Sequence, residues 1–260
     1  MKRRPSTTLF AGSCTELTPA KCADLVRASR RAVALTGAGI STAAGIPDFR
    51  GPKGIYAAGR YDPMTVFDIE RFRADPQPFF DFTRDFLALL EQAQPTFAHR
   101  FLARWEKEGG FLAVVTQNID MLHEKAGSRR VIAIHGDYSR SRCQGCDKLW
   151  DYRKMAHKVK EEEVPRCGCG CVIKPEVVFF GEAVRDLELA HEAVSACDLL
   201  LVMGSSLQVY PAAALPEYAA GPTVVINRGA TGLSPAPGRF FVDADVQEYA
   251  HRLAETLGWI

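Results

Sequence analysis

Apolar residues in this chain fall in short unbroken runs rather than in strict alternation. Ala32–Thr36, Leu112–Thr116 and Leu199–Met203 each read as a strand buried on both faces, and each ends at a Gly- or Asn-bearing turn. Val131–Ile134, Val224–Asn227 and Phe240–Val242 are shorter runs of the same kind. Between them, helical patterns cover Lys21–Ser29, Pro78–Gln92, Phe97–Lys107, Leu187–Ala196, Pro211–Tyr218 and Asp245–Leu257. Wholly apolar strands separated by helices predict an α/β fold, a parallel sheet with helices on both faces.

Two stretches interrupt this alternation. Gly51–Pro95 is long for a crossover connection and carries little strand signal. Its phenylalanines (Phe67, Phe72, Phe79, Phe80, Phe82, Phe86) predict a helical insertion with its own apolar cluster. Cys143–Cys171 is more charged and poor in large apolar residues, so it needs a metal to hold it together.

Charge narrows the function class. The 32 basic and 31 acidic side chains nearly cancel, which argues against a general nucleic-acid binder. No run of 18 apolar residues exists, so no membrane span is expected, and Met1-Lys-Arg-Arg-Pro-Ser lacks the apolar stretch of a secretory signal. Of 8 cysteines, Cys14, Cys22 and Cys197 are scattered and the rest cluster between Cys143 and Cys171. Clustering without an export signal favours a metal over disulfides and a cytoplasmic, reducing location.

The chemistry gathers at strand ends. Gly37 and Gly39 turn the chain sharply after the first strand, before a helical turn expected near Ser41; such a junction lets backbone N–H groups approach a pyrophosphate. A hydride-transferring dehydrogenase would carry a third glycine at Thr42 and an acidic residue ending a second strand, and both are missing. Thr116-Gln-Asn-Ile-Asp120 ends a central strand, where Asn118 and Asp120 can bind a ribose, an amide or a water. His135-Gly136 follows another strand and offers a general base, whereas His123 reads as structural. Met203-Gly-Ser-Ser206 repeats the first turn's logic, and Asn227-Arg228-Gly229 can hold a second ribose.

Cys143-Gln-Gly-Cys146 and Cys167-Gly-Cys169-Gly-Cys171, separated by a hairpin-sized spacer, have the pairing of a tetrahedral zinc site. Four thiolates fill zinc's coordination, leaving no place for an activated water, so the metal would be structural and a zinc hydrolase is disfavoured. Spacing alone leaves Cys169 and Cys171 open as the fourth ligand.

Together these residues resemble the sirtuin family of NAD-dependent protein deacylases, its bacterial and archaeal deacetylase branch in particular. The resemblance runs from about Arg31 to Leu257 through Gly37-Ala-Gly-Ile-Ser41, Gly45-Ile-Pro-Asp-Phe-Arg50, Gln117-Asn-Ile-Asp120, His135-Gly136, the cysteine pairs, Phe180-Gly-Glu182, Gly204-Ser-Ser206 and Asn227. It implies a single catalytic domain over 1–260. A Rossmann-like large lobe would take 14–50, 96–140 and 178–260, with a helical module at 51–95 and a zinc-binding module at 141–177. It implies NAD contacts from Gly37, Ala38, Gly39, Thr42, Asp48, Phe49 and Arg50, and a flap over Ala43–Arg50. Gln117, Asn118, Ile119 and Asp120 would surround the nicotinamide and its ribose. Gly204, Ser205, Ser206, Asn227, Asp245 and Val246 would hold the adenosine half. His135, Asn118 and Asp120 would be catalytic, and Cys143, Cys146, Cys167 and Cys169 would bind one structural zinc, since counting back from Pro175 favours Cys169.

The implied reaction consumes NAD: acetyl-lysine becomes lysine, with release of nicotinamide and 2′-O-acetyl-ADP-ribose. The peptide would add as a strand between Val178–Gly181 and Gln208–Tyr210, with Val178, Phe180, Gly181 and Val209 touching it. Phe82 and Arg84 stand where the long-chain-acid subclass has a Tyr and Arg pair, which favours acetyl. Mono-ADP-ribosyl transfer on the same scaffold is the alternative.

Overall fold

The computed structural model describes residues 17–48, 59 and 61–260. Its strands are β1 (Ala32–Thr36), β2 (Phe111–Thr116), β3 (Val131–Ala133), β4 (Gly136–Cys143), β5 (Leu149–Asp151), β6 (Ile173–Val177), β7 (Leu199–Met203), β8 (Thr223–Asn227) and β9 (Arg239–Asp243). Six of them form one sheet in the order β3-β2-β1-β7-β8-β9, every neighbouring pair parallel.

Period-two geometry explains the unbroken apolar runs. Ala32, Ala34, Leu199, Leu201 and Met203 face a core closed by the helices Pro19–Ala28, Phe97–Glu108 and Val246–Leu257. Val33, Leu35, Leu200 and Val202 face a second core under Leu187–Ser195 and Ala212–Tyr218. Both faces are covered, so polar residues are excluded until the strands end. Within the Pro211–Tyr218 segment the helix is of the tighter 3-10 type over Ala212–Tyr218, because Pro216 lacks an N–H and its ring would meet the carbonyl four residues back.

Strand order decides where ligands go. The chain runs outward from β1 through β2 to β3, then returns to β7 on the other side of β1 and continues outward to β9. The β1/β7 boundary is therefore the switch point, with its crevice at the carboxyl ends. There Thr36 aligns with Thr116 and Met203, so the loops after β1, β2 and β7 emerge at one level.

The two insertions build a smaller lobe. β5-β4-β6 form an antiparallel sheet. The spacer between the cysteine pairs is more than a hairpin: it holds β5 and the Tyr152–Glu161 helix, whose N-terminus Asp151 caps by accepting from the Lys154 N–H at 2.9 Å. The phenylalanine cluster does not stand alone either. Phe72, Phe79, Phe80, Phe82 and Phe86 share one core with Met155, Val159 and Ile173 of the cysteine-bearing segment. Ring pairs such as Phe72–Phe179 (5.3 Å, 88°) and Phe67–Phe82 (5.0 Å, 73°) pack edge to face. Arg84 joins the two parts, donating to the carbonyls of Val159, Glu162 and Glu163 at 3.4, 3.2 and 3.1 Å.

Candidate active site at the strand ends

The loop after β1 is shaped by its contact with the loop after β7. Gly37 N–H donates to Met203 O at 3.1 Å and Gly39 N–H to Gly204 O at 2.8 Å. A Cβ at Gly39 would stand 2.8 Å from Gly204 Cα, and one at Gly204 would stand 2.5 Å from Ile40 N. These glycines let two main chains touch, and the N–H groups expected to face a pyrophosphate are largely spent on that contact. Among the described residues Ala38 N–H keeps no protein acceptor. The expected helical turn near Ser41 is instead a pair of three-residue 3-10 segments, Ala38–Ile40 and Thr42–Ala44, too short to carry a macrodipole. Thr42 is exposed and its hydroxyl donates back to Gly39 O at 3.1 Å. Asp48 is half-buried. Phe49, Arg50 and the end of the expected flap lie outside the described residues.

The loop after β2 supplies the buried polar centre. Asp120 accepts from Ser41 Oγ at 2.6 Å and from Leu122 N at 2.9 Å. Burial raises its pKa above the usual carboxylate value, an effect those donors only partly offset. Asn118 Nδ2 donates to Gly37 O (3.2 Å) and Ser41 Oγ (3.1 Å), tying the β2 loop to the β1 loop. Gln117 Nε2 donates to Ser205 Oγ at 2.9 Å, tying it to the β7 loop. Ile119 is partly buried against the small-lobe core.

His135, just after β3, contacts the same loop. Its Nδ1 lies 2.9 Å from the Gln117 carbonyl. A carbonyl can only accept, so Nδ1 carries the proton and Nε2 is left with a free lone pair. Burial lowers the ring's pKa below its ordinary value, against the opposing effect of the Gln117 bond, and so keeps it neutral near pH 7. Glycine is required next in sequence: a Cβ at Gly136 would stand 1.8 Å from Glu176 O.

Sequence reasoning read His123 as structural, as found, but passed over the other supports beneath these groups. Ser41 bridges Asp120 and Asn118, and its only signal was its place directly after the glycine turn. Thr36 Oγ1 lies 2.9 Å from both Thr116 Oγ1 and His123 Nε2. His123 packs 4.6 Å, ring to ring, from His99, and burial holds both neutral, with His99 pushed down to about 3.

The adenosine-side candidates fall into two groups. Ser205 is buried and joins the Gln117 network, also accepting from Leu207 N at 3.2 Å, while Ser206 O accepts from Gly232 N at 2.8 Å. Asn227 and Asp245 lie beyond that network at the ends of β8 and β9. Asn227 donates to Arg228 O, whereas Asp245 caps the Val246–Leu257 helix and pairs with Arg228 at 3.3 Å. Val246 is buried at the start of that helix.

On the substrate side, Val178–Gly181 is partly spent as an edge. Val178 N–H donates to His135 O (2.8 Å) and Phe180 N–H to Phe67 O (2.7 Å), and Phe180 O accepts from Ile69 N (3.1 Å). An added strand would therefore have to use Val178 O and Gly181. On the opposite wall, Val209 O accepts from Ala213 N at 2.9 Å and Tyr210 is 75% exposed.

The metal candidates meet the geometric test. The sulfurs of Cys143, Cys146, Cys167 and Cys169 all lie within 4.8 Å of one another, with Cys143–Cys169 at 3.4 Å and Cys146–Cys167 at 3.7 Å. Zinc–sulfur bonds of about 2.3 Å in a tetrahedron need sulfurs roughly 3.8 Å apart. The amide N–H groups of Cys146 and Gly145 face Cys143 and bring its thiol down to about 6. This grouping contains Cys169 and leaves out Cys171.

Comparison with known proteins agrees with this arrangement. Residues 37–211 match the Sir2 family model. An NAD-dependent protein deacetylase of Thermotoga maritima is 42% identical over 90% of this chain and 96% of its own. One from Sulfurisphaera tokodaii is 44% identical over 82% and 86%. A solved structure described as Sir2 with a p53 peptide and NAD+ superposes with TM-score 0.83 and 40% identity, covering 91% of this chain and 97% of that one. A Sir2 structure with a deacetylated p53 peptide and 3′-O-acetyl ADP ribose gives TM-score 0.85 at 40% identity, covering 92% and 98%. The chain belongs to the Sir2 family, the sirtuins that its strand-end motifs resemble.

Proposed function

We propose that this chain is an NAD-dependent protein lysine deacetylase. It converts an acetyl-lysine peptide, NAD and water into the lysine peptide, nicotinamide and 2′-O-acetyl-ADP-ribose. One observation carries the reading: His135, a neutral imidazole with a bare Nε2, stands beside the Asn118–Ser41–Asp120 network at the sheet's switch point. Relatives of high identity act as deacetylases, and a Sir2 of 39% identity was solved with a propionylated peptide.

The residues divide the work by chemistry. His135 Nε2 is a base at neutral pH and takes the proton from a ribose hydroxyl, which can then attack the acyl carbon. Asp120 orients the carboxamide of the nicotinamide, its carboxylate already fixed by the Ser41 hydroxyl and the Leu122 N–H. Asn118 orders a ribose hydroxyl or water, and Gln117 and Ile119 frame the pocket. Gly37, Ala38, Gly39, Thr42, Asp48, Phe49 and Arg50 serve the pyrophosphate and nicotinamide ribose, with Ala38 N–H the available main-chain donor. Gly204, Ser205, Ser206, Asn227, Asp245 and Val246 serve the adenosine half. Val178, Phe180, Gly181 and Val209 line the peptide's path.

Cys143, Cys146, Cys167 and Cys169 would hold one zinc, which would supply no chemistry at the reacting atoms because its four positions are filled. Among the described residues every cysteine is free and no helix is long and apolar enough to cross a membrane. Clustered reduced thiols favour a cytoplasmic location.

Mass spectrometry of an acetylated peptide incubated with and without NAD tests the reading. Loss of acetyl only with NAD, with one nicotinamide per lysine, is expected. An ADP-ribosylated peptide that keeps its acetyl group would overturn it in favour of ADP-ribosyl transfer.

A further inference from the structure

The small lobe gathers five cysteines where a tetrahedral ion uses four. Cys171 stays outside the four-sulfur group, yet it lies against the same turn. A Cβ placed on Gly145, inside the Cys143–Cys146 turn, would stand 2.3 Å from Cys171 Sγ and 3.8 Å from Cys169 Sγ. Cys171 Sγ thus fills the space a side chain at Gly145 would take, with Cys169 Sγ at contact distance from the same point.

The backbone gives the two thiols different freedom. Cys169 is exposed between Gly168 and Gly170, the latter at φ +88°. Cys171 is half-buried at the base of the turn, where its carbonyl accepts from Cys167 N–H at 2.9 Å. The next residue's carbonyl accepts from Gln144 N–H at 2.9 Å, just past the strand that carries Cys143. The tip can swing away while the base stays pinned to the site.

We propose that Cys171 is a reserve metal ligand that completes the four-sulfur shell when Cys169 leaves it. The proposal rests on the zinc reading above. The exchange involves no change of oxidation state: Cys171 gives up its thiol proton as it binds, and Cys169 takes one up as it leaves.

Cobalt substitution of the full chain reads the shell directly, since thiolate charge-transfer and d–d bands separate four-sulfur from three-sulfur-plus-water sites. Cys169→Ala and Cys171→Ala should each bind one equivalent of cobalt with a four-sulfur spectrum and keep one zinc by elemental analysis. The double variant should show the three-sulfur spectrum and bind zinc at least tenfold more weakly. A Cys169→Ala protein with the double variant's spectrum, or one unfolded by circular dichroism where Cys171→Ala is folded, overturns the proposal. A second readout uses the zinc-loaded wild type: alkylation at Cys169 alone should leave the zinc bound, and its release there also overturns the proposal. A wild type that binds neither zinc nor cobalt overturns the zinc reading itself.

Discussion

Replacing Gly39 with alanine separates two accounts of the glycine-rich turn. The new Cβ would lie 2.8 Å from Gly204 Cα, 2.9 Å from its carbonyl oxygen and 3.1 Å from its carbonyl carbon. Carbon contacts settle near about 3.5–4.0 Å, so the loops after β1 and β7 must part by roughly 0.7–1.2 Å. Gly204 cannot retreat freely: its N–H donates to Ile226 O at 3.0 Å and its φ is +65°. Overpacking of this kind costs about 1–3 kcal/mol. Weakening the Gly39–Gly204 hydrogen bond adds about 1 kcal/mol. A loss of roughly 2–4 kcal/mol lowers Tm by about 4–16 °C in a chain of this size. Thermal unfolding of the NAD-free protein measures it, and NAD titration shows how far the displaced loop weakens binding. If the glycine served only a ligand's close approach, stability without NAD would be untouched and affinity alone would fall. A Gly39→Ala protein with wild-type Tm and weakened NAD binding refutes the loop-contact account.

His135→Ala should lower turnover by about 10²–10⁴-fold while leaving NAD affinity within a few-fold, and unchanged deacetylation would sink its assignment as base. Because burial lowers the His135 pKa, the base form should persist to below about pH 6.5; an acid limb of kcat/KM that starts above that value and vanishes in a His135 variant contradicts a buried neutral ring. Asp120 has the opposite sign. Its folded pKa is raised, so its ionised form costs stability at neutral pH and the cost fades as pH falls through that pKa. Relative to wild type, Asp120→Asn should therefore gain stability between pH 4 and pH 7 in urea unfolding while losing turnover, and a relative loss over that range would contradict the burial argument. Stripping zinc with a chelator should lower hydrogen-exchange protection in the Gln77–Gln92 helix as well as in β4 and β6, because Cys143 and Cys167 sit in the core that helix shares; undisturbed protection in the helix would disprove the shared core.

The large lobe was legible because its strands are buried on both faces, and burial on both faces leaves an unbroken apolar run such as Leu199–Met203. The cysteine pairs were legible because thiols at that spacing have few other uses. What stayed hidden depended on partners distant in sequence. The Tyr152–Glu161 helix buries only Met155, Ala156 and Val159 within a lysine- and glutamate-rich segment, so its apolar face is too narrow to stand out. The phenylalanines looked self-sufficient because Val159 and Ile173, which complete their core, come 73 to 106 residues later in the chain. Arg84 sat near a position associated with acyl-chain choice, but its guanidinium is spent on three carbonyls of the neighbouring segment. The glycine turn was legible but its contact with the loop after β7 was not, since a ligand and a second loop both demand a bare main chain.

That ambiguity bears on how the site is built. Asn118 and Asp120 hold Ser41 and the Gly37 carbonyl, so the β2 loop adds its support to that of the β7 loop in shaping the β1 loop. Gln117 then fixes both neighbours, donating to Ser205 with its side chain and accepting from His135 with its carbonyl. A buried carboxylate in this position is a poor choice for stability, since burial disfavours its charged form and raises its pKa. It is a good choice for a site that must be rigid before its substrates arrive, because each oxygen fixes a donor from a different loop: the Ser41 hydroxyl after β1 and the Leu122 N–H after β2. The side chains that would touch the nicotinamide end thus also position the loop that would hold the phosphates. Substitutions at Asn118 or Asp120 cannot be sorted into binding or chemistry alone, because one network of hydrogen bonds sets both.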